Sequence, residues 1–423
     1  VVVDFSKILI SDLSNLAQAM NDGYFFFQPI GSGYGLDKDR SSVNSIRVYP
    51  ENAEFDVDLV FTTSKDPFLE SVVDSRYLTI GMHHSFCELP PEPMVPRFAD
   101  PRIGYFMTVF KDYTRTNEKE WFVRYVNRWR LEKKNPNARV SEPVKPIVFY
   151  VENTVPEEYR KYIKEGIEMW QPAFERVGFK NAIVARDQPD DPDWSAEDIR
   201  YSTIRWITSH RSSFGAIGPS RTDPRTGEIL DADILFEANM IQGMRTQWQR
   251  MIAPEAAAAL GMDPFEYALE ADRYAFEEAL RSGGPDKAVR VCTAWHSQVF
   301  SSGFAQAALA ARGDIRPGDP VPDEYIGQFL RWVTAHEVGH TLGLVHNFRS
   351  SVSVPHEKLH DKSYVRNHGL YGSVMEYPVV NISGDARRQG FYYSPVVGTW
   401  DNWAIEYGYT PFKGVKRPED EVS

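Results

Sequence analysis

The composition of this 423-residue chain is that of a globular protein, because 42% hydrophobic and 13% aromatic residues are enough for the cores of two or three domains. Its formal net charge of −12 at pH 7 argues against nucleic acid or an anionic membrane as the main partner, since no basic stripe is available to neutralise phosphates. The two cysteines, Cys87 and Cys292, are too few for a disulfide framework and indicate no redox compartment.

No apolar run approaches the roughly 18 residues of a membrane-spanning helix. The first residues, Val1–Asp4, lack the basic region of a signal peptide. We therefore expect no transmembrane segment and no signal peptide within this sequence. Because Val1–Val3 already has the character of a strand, the chain is expected to be a mature form or a part of something longer. The sequence indicates no oligomeric state.

Residues 1–140 alternate short runs of β-favouring residues with turn signals, which predicts a β-rich N-terminal domain. The strand candidates are Tyr24–Phe27, Val43–Tyr49, Phe55–Thr62 and Ser75–Met82. The adjacent His83 and His84 would point to opposite faces of a strand, so a ligand pair is not favoured. We assign no chemistry to this domain, which ends in the polar, basic stretch 133–139.

The second part of the chain, residues 141–423, opens with strand and helix signals. Ile147–Val151 is a continuous apolar run, typical of a strand buried on both faces. Thr154 and Glu157 have the spacing of a capping box, and apolar residues then recur at helical intervals as far as Gly178. A second apolar run over 182–185 completes a strand-helix-strand unit, which predicts two parallel strands.

Three further strand candidates follow, at Thr203–Ile207, Phe214–Ile217 and Ile229–Phe236. Asp231 and Asp233 on the last of them could hold Ca²⁺, but alternation along a half-exposed strand explains them without a metal and is preferred. Residues 238–322 are rich in Ala and Met and predict a helical insertion.

The stretch around which the chain is organised is His336-Glu337-x-x-His340-x-x-Gly343-x-x-His346. On a helix, two histidines four residues apart share one face and can meet one metal ion, while the glutamate lies about 100° round the helix beside it. The glycine lets the helix end through a positive φ, so the bent chain can return the third histidine. Three neutral nitrogens hold zinc and leave a position for water, which is the open arrangement of a catalytic site.

The chain contains its own control, because a second H-E-x-x-H runs from His356 to His360. The first copy is predicted to lie on a helix, because an apolar stripe with helical spacing precedes it: Ile326, Phe329, Leu330 and Val333. The second copy has no such stripe, and Ser363 and Arg366 take the places of the glycine and the third histidine. We interpret it as a solvated turn that binds no metal.

These residues resemble the zinc signature of the metzincin metallopeptidases. Ser373–Tyr377 is similar to their Met-turn, with Met375 as the methionine beneath the zinc ligands. Asp401–Gly408 is similar to the helix that closes the lower part of many members. The whole chain most resembles large secreted bacterial zinc-dependent metalloproteases in which a β-rich domain of unknown role precedes the peptidase.

The resemblance implies an α+β, zincin-like catalytic domain over residues 141–423, with a mixed sheet, an active-site helix and one catalytic Zn²⁺. The ion would be held by His336, His340 and His346, and it would lower the pKa of a water molecule. Glu337 would act on that water as general base in the hydrolysis of internal peptide bonds.

Three further expectations come from the resemblance. Tyr377 would ligate zinc at rest and then stabilise the oxyanion, although packing in an ordinary core also explains a tyrosine there. The edge strand over the cleft would be Gly215, Ala216, Ile217 and Gly218, and it would pair with an extended peptide or protein substrate. The location implied is secreted, periplasmic or cell-surface.

Two alternatives stay open at this point. The chain could be a non-catalytic binding or surface protein on a retained zincin scaffold, although such a scaffold has no physical need of Glu337 beside an open zinc position. Residues 1–140 could instead cover the cleft and hold the enzyme latent, with Cys87 or Asp100 filling the open position. Neither of these two residues lies in an established switch motif.

Overall fold

The computed structural model describes residues 4–23, 29–65, 67, 69, 72–114, 121–209, 215–242, 244, 294–316 and 322–412. These residues form two compact units. The first contains the described residues up to Leu89 together with Glu197–Ile199, and the second contains the other described residues from Pro90 onward. Within the ranges given above, no helix has both the length and the apolar character needed to cross a lipid bilayer.

The first unit is built on a three-stranded antiparallel sheet of β1 (Gly35–Val48), β2 (Asn52–Thr62) and β3 (Tyr77–Cys87), in that order. Alternate residues of β2 face one side of the sheet, where apolar side chains from the short helices α1 (Ser6–Leu9) and α2 (Leu16–Asp22) join them in a buried cluster. The β-rich character predicted here is confirmed, as are the strands at 43–49, 55–62 and 75–82. The candidate at 24–27 lies outside the described residues.

The second unit contains nine described strands: β4 (Met107–Lys111), β5 (Phe122–Val126), β6 (Ile147–Val151), β7 (Ile183–Asp187), β8 (Ser202–Ile207), β9 (Ala216–Ile217), β10 (Ser220–Thr222), β11 (Ile229–Ala232) and β12 (Ile234–Glu237). Five of them form a mixed sheet in the order β7-β6-β8-β12-β9. The first four are parallel, and β9 runs antiparallel to β12 at the edge. The predicted mixed sheet is therefore confirmed.

The prediction of one strand over Ile229–Phe236 is wrong in detail. The chain changes partner within this stretch, because β11 pairs with β10 whereas β12 enters the five-stranded sheet beside β8. The change falls at Asp233, whose carboxylate accepts hydrogen bonds from the backbone N–H and the hydroxyl of Thr203 at 2.9 and 2.6 Å.

The prediction of one capped helix between residues 154 and 178 also needs correction. The stretch forms two helices, α3 (Glu157–Glu168) and α4 (Gln171–Arg176). The Thr154 hydroxyl donates to the Glu152 carboxylate at 2.7 Å and caps neither helix. Pro172 explains the division, because a proline is tolerated in the first turn of a helix but removes a hydrogen bond from a helix interior.

The longest described helix of the second unit, α6 (Asp323–Thr341), is buried around most of its circumference. Close contact with α3 explains part of this burial, because a Cβ on Gly166 would lie only 2.6 Å from Thr334 Cβ. The Trp170 indole lies on another side of α6, fully buried, and donates to the Ala335 carbonyl at 2.9 Å. The polar motif is thus carried by a helix that the surrounding core holds rigidly.

Three more helices complete the second unit: α5 (Ala294–Ala311), α7 (Lys362–His368) and α8 (Thr399–Tyr409). Helix α5 lies within the predicted insertion 238–322, most of which falls outside the described residues. The compact units divide between Leu89 and Pro90, and the predicted domain boundary near 140 stays a prediction. Residues after Pro90 belong to the second unit because Ile103, Tyr105 and Val126 lie in the same hydrophobic core as α6.

Candidate metal centre

Three histidines converge at the end of α6. His336 and His340 lie on the helix, His346 lies beyond the turn that follows it, and the candidate ligand atoms lie within 4.8 Å of one another. Within the described part of the chain, this is the one group of three or more His, Cys, Asp or Glu residues whose ligand atoms, one from each residue, could together hold a metal ion. The spacing on the helix has therefore produced the geometry that the sequence predicted.

Backbone carbonyls set the orientation of the two helical histidines. The Nδ1–H of His336 donates to the Val374 carbonyl at 2.7 Å, and that of His340 donates to the Leu344 carbonyl at 2.8 Å. Because each Nδ1 carries the proton, each Nε2 presents a lone pair. This is the tautomer that a metal ligand requires.

The three Nε2 atoms are better suited to binding a shared metal ion than to hydrogen bonding with one another. His336 Nε2 is buried without a hydrogen-bond partner, and His340 Nε2 lies 3.1 Å from His346 Nε2. A buried acceptor without a donor costs free energy, and one divalent cation would satisfy all three nitrogens. Three imidazole nitrogens are a donor set that suits zinc.

Burial keeps these imidazoles neutral. It lowers the pKa of His336 well below the usual value, and the neighbouring His340 and His346 lower it further. Burial, followed by the proximity of His346, lowers the pKa of His340 to about 4. Burial also lowers the pKa of His346. Since only the neutral imidazole binds a metal, the site is ready for a cation at neutral pH.

The turn after the helix depends on Gly343, as predicted. Its φ is +99°, a conformation that side chains disfavour, and a Cβ at this position would lie 2.0 Å from the Asn127 carbonyl oxygen. The close approach of this backbone therefore admits only glycine. The turn returns the chain so that His346 faces the two helical histidines.

Glu337 follows His336 on α6, where the edge of the sheet meets the helix. Its side chain is buried, and the backbone N–H of Gly218 is near enough to its carboxylate to affect its pKa. Burial raises the pKa of Glu337 to about 8, and the Gly218 N–H opposes that rise. A Cβ on Gly218 would lie 2.7 Å from the Glu337 carbonyl oxygen, so the chain just after β9 lies directly on α6.

Met375 packs against α6 at Gly339, the residue before His340. It is fully buried, and a Cβ on Gly339 would lie 2.2 Å from its sulfur and 2.9 Å from the Trp170 ring, so the glycine allows this close packing. The Met375 carbonyl also accepts the N–H of Asn347 at 3.0 Å, one residue after the third histidine. These contacts are those expected of the methionine in a Met-turn.

Asp401 fixes this turn from below and was not predicted. Its carboxylate accepts hydrogen bonds from the Ser373 hydroxyl at 2.6 Å and from the backbone N–H groups of Val374 and Gly398 at 2.8 and 2.7 Å. Burial raises the pKa of Asp401 to about 6 against these three donors. The sequence signal was weak, because an acid in the first turn of a helix such as α8 is ordinary.

The Tyr377 hydroxyl reaches the histidine group and lies 2.7 Å from His346 Nε2. The Tyr377 ring lies beside two of the three imidazoles, with ring centroids 4.5 Å from His346 and 5.1 Å from His336. The tyrosine is half-buried at the site, and its hydroxyl points to the ligand atoms.

The second H-E-x-x-H has a different structure. Residues His356–Lys358 form a 3₁₀ turn, and both His356 and Glu357 are exposed. His360 Nδ1 lies 3.4 Å from the side-chain amide of Asn381. Among the described residues, neither histidine of this copy belongs to a group of potential metal ligands.

Other acidic and histidine candidates are engaged in hydrogen bonds. Asp231 is buried, not half-exposed as expected, and accepts the Ser202 hydroxyl at 3.1 Å, so nothing here supports Ca²⁺. His83 lies between the carboxylates of Glu54 and Asp56 at 2.6 and 2.7 Å. The two proposed zinc-capping residues are also placed: Asp100 pairs with Arg102 in the second unit, and Cys87 ends β3 in the first.

Comparison with protein families assigns two parts of the chain. Residues 318–423 match a family described as Met-zincin, and residues 1–134 match a domain of unknown function (DUF5117). Neither the curated proteins nor the solved structures contained a match. The first matched region carries α6, the histidine group, Met375 and α8. The part of the chain that is similar to the Met-zincin family is thus the part that holds the three histidines suited to zinc.

Proposed function

We propose that the protein is a zinc-dependent endopeptidase in which Glu337 is the general base. One observation supports the proposal above all others: three imidazoles with converging nitrogens lie at the end of α6, and the buried Glu337 follows the first of them on that helix. A protein that only stores or transports a metal does not need a general base at this position. Peptide hydrolysis needs both a Lewis acid and a base.

Different residues of the site carry out the steps of peptide-bond hydrolysis. Zinc, when bound by His336, His340 and His346, supplies the Lewis acid. Glu337 takes one proton from the attacking water and delivers it to the nitrogen of the leaving amine. Gly218 packs on the backbone of Glu337 and so restricts the position of this side chain during both transfers.

Tyr377 supplies a hydrogen-bond donor for the developing oxyanion. Its hydroxyl already lies within the histidine group, at 2.7 Å from His346 Nε2. A donor that is fixed before the reaction stabilises the negative charge without a reorganisation cost. The phenol also restricts the space beside His346, so it helps to orient the scissile carbonyl.

The edge strand favours cleavage of internal peptide bonds. β9 pairs with β12 along one side and has no strand partner along the other among the described residues. An extended peptide could add to that free edge through backbone hydrogen bonds, over Gly215, Ala216, Ile217 and Gly218. Backbone pairing along a strand needs no free terminus, which is the requirement of an endopeptidase.

Peptide-library cleavage tests this proposal. The full chain is incubated with peptides of mixed sequence as isolated, after removal of zinc by a chelator, and after zinc is restored. We expect cuts at internal bonds that disappear with the metal and return with it. Release of terminal residues alone would contradict the endopeptidase assignment, and intact peptides despite bound zinc would favour a non-catalytic scaffold.

A further inference from the structure

Residues 104–106 of the second unit pair directly with the turn that returns the third histidine. Tyr105 and Leu344 form an antiparallel bridge. On its two sides, the Phe106 N–H donates to the Gly343 carbonyl at 2.7 Å and the Val345 N–H donates to the Gly104 carbonyl at 3.2 Å. We call residues 104–106 the clasp.

The turn that the clasp holds controls two of the three histidines. The Leu344 carbonyl accepts the Nδ1–H of His340, so the position of Leu344 sets the orientation of that ring. His346 follows Val345 directly, so the position of Val345 sets where the third histidine begins. A displacement of the turn would therefore move both ligands relative to His336.

Hydrogen bonds to α8 and to Asn127 hold the clasp in place. Tyr105 is 4% exposed, and its hydroxyl donates to the Ala404 carbonyl in α8 at 2.8 Å. The Asn127 N–H donates to the Phe106 carbonyl at 2.8 Å, and the Asn127 carbonyl packs against Gly343. The turn is thus enclosed between the clasp and the end of β5, with no space for a side chain at its glycine.

Phe106 contributes the contact nearest to the ligands. Its ring centroid lies 5.7 Å from that of His340, at an interplanar angle of 51°. The Phe106 side chain is 44% exposed, so the hydrophobic core needs it little. Because the Phe106 ring is half-exposed yet packs on the His340 ring, its position is that of a side chain that restricts the rotation of His340.

We propose that the clasp is a positioning element of the metal centre and that Phe106 orients His340 through ring contact. The proposal deepens the proposed function and rests on it only for the identity of the metal. It also gives a role to the end of the region that matches a domain of unknown function, because the clasp and Asn127 lie within residues 1–134. That stretch is a structural part of the zinc site.

The test compares two phenylalanines of similar exposure in the full chain. Phe106→Ala removes the ring on His340, whereas Phe110→Ala removes a ring that is 39% exposed and packs on Tyr125. Zinc release to a chelator is measured without substrate, together with the visible spectrum of the cobalt-substituted protein and thermal unfolding. Because supporting contacts are worth about 10–100-fold in metal affinity, we expect Phe106→Ala to release zinc at least about 10-fold faster, with a changed cobalt spectrum.

The control should release zinc as the wild type does, and neither variant should unfold at a much lower temperature. Wild-type release and a wild-type cobalt spectrum in folded Phe106→Ala would overturn the proposal. If Phe106→Ala does not fold, Phe106→Leu keeps apolar bulk and must show the faster release instead. Wild-type protein without stoichiometric zinc would overturn the zinc assignment together with this proposal, whereas bound zinc without peptide cleavage would count against the proposed function alone.

Discussion

The pattern H-E-x-x-H occurs twice in this chain, and the two copies have different structures. The copy at His336 lies on a buried helix, and carbonyls from two other segments orient its histidines. The copy at His356 forms a 3₁₀ turn with two exposed residues. The five-residue pattern is therefore not sufficient for a metal site, which also needs the helical period and backbone acceptors at the right places.

The difference does not lie in the protonation of the histidines alone. Burial lowers the pKa of His360 in the second copy, and Arg388 adds to the effect. A neutral imidazole is thus available in both places. What the second copy lacks, among the described residues, is a third ligand within reach and a carbonyl that turns its Nε2 toward a common point.

The largest effect is expected from the glutamates of the two copies. Glu337→Ala removes the proposed base and should lower kcat about 10²- to 10⁴-fold while zinc remains bound. Glu357→Ala makes the same change in the second copy and should leave kcat at the wild-type value, since this residue is exposed. Peptide cleavage rates and zinc content of both variants provide the check. Near-wild-type turnover in Glu337→Ala would remove the base from the mechanism.

A smaller effect is expected from a pair of tyrosines that both contact histidines. Tyr377→Phe removes the hydroxyl near His346 Nε2, and the loss of one oxyanion donor should lower kcat about 10²-fold with little change in KM. Tyr364 stacks on His368 at 4.2 Å between ring centroids, beside the second copy, so Tyr364→Phe is the matched control and should behave as wild type. Equal kcat values for the two variants would assign Tyr377 to packing only.

The smallest effect is expected from Asp401, which holds the turn at Met375, and it is a change in the free energy of unfolding with pH. Because burial raises the pKa of Asp401 from 3.8 to about 6 in the folded protein, protonation stabilises the fold fully below pH 3.8, and this contribution is lost as pH rises through 6. The free energy of unfolding of wild type, relative to Asp401→Asn, should therefore fall by on the order of 2 to 3 kcal/mol between pH 4 and pH 7.

Urea denaturation at several pH values measures this difference. Asp385→Asn is the control, because Arg387 lowers the pKa of Asp385 and its titration falls below this pH range. A difference between wild type and Asp401→Asn that stays constant from pH 4 to pH 7 would show that Asp401 keeps one protonation state in the fold.

The sequence predicted the parts of the site that follow from regular spacing. The two helical histidines, Glu337 and Gly343 were predictable because a helix of known period connects them, and Met375 followed from the family resemblance. Local hydrogen bonds were harder to predict. The Thr154 hydroxyl bonds to Glu152 instead of capping a helix, and this choice depends on tertiary contacts that the sequence does not display.

Contacts between distant segments could not be predicted at all. Tyr105 pairs with Leu344, and Gly218 packs against the Glu337 carbonyl, through backbone groups that every residue carries. Such contacts leave no pattern of side chains along the chain. For the same reason, the sequence did not show that residues soon after Pro90, such as Ile103, pack in the core of the second unit.

Zinc content tests the comparison of the two copies most directly. The full chain is prepared as wild type, as the double variant His336→Ala with His340→Ala, and as the double variant His356→Ala with His360→Ala, and the metal is measured by plasma mass spectrometry. We expect one zinc per chain in the wild type and in the second double variant, and none in the first. Zinc retained in the first double variant, or lost from the second, would show that His336 and His340 do not hold the metal as proposed.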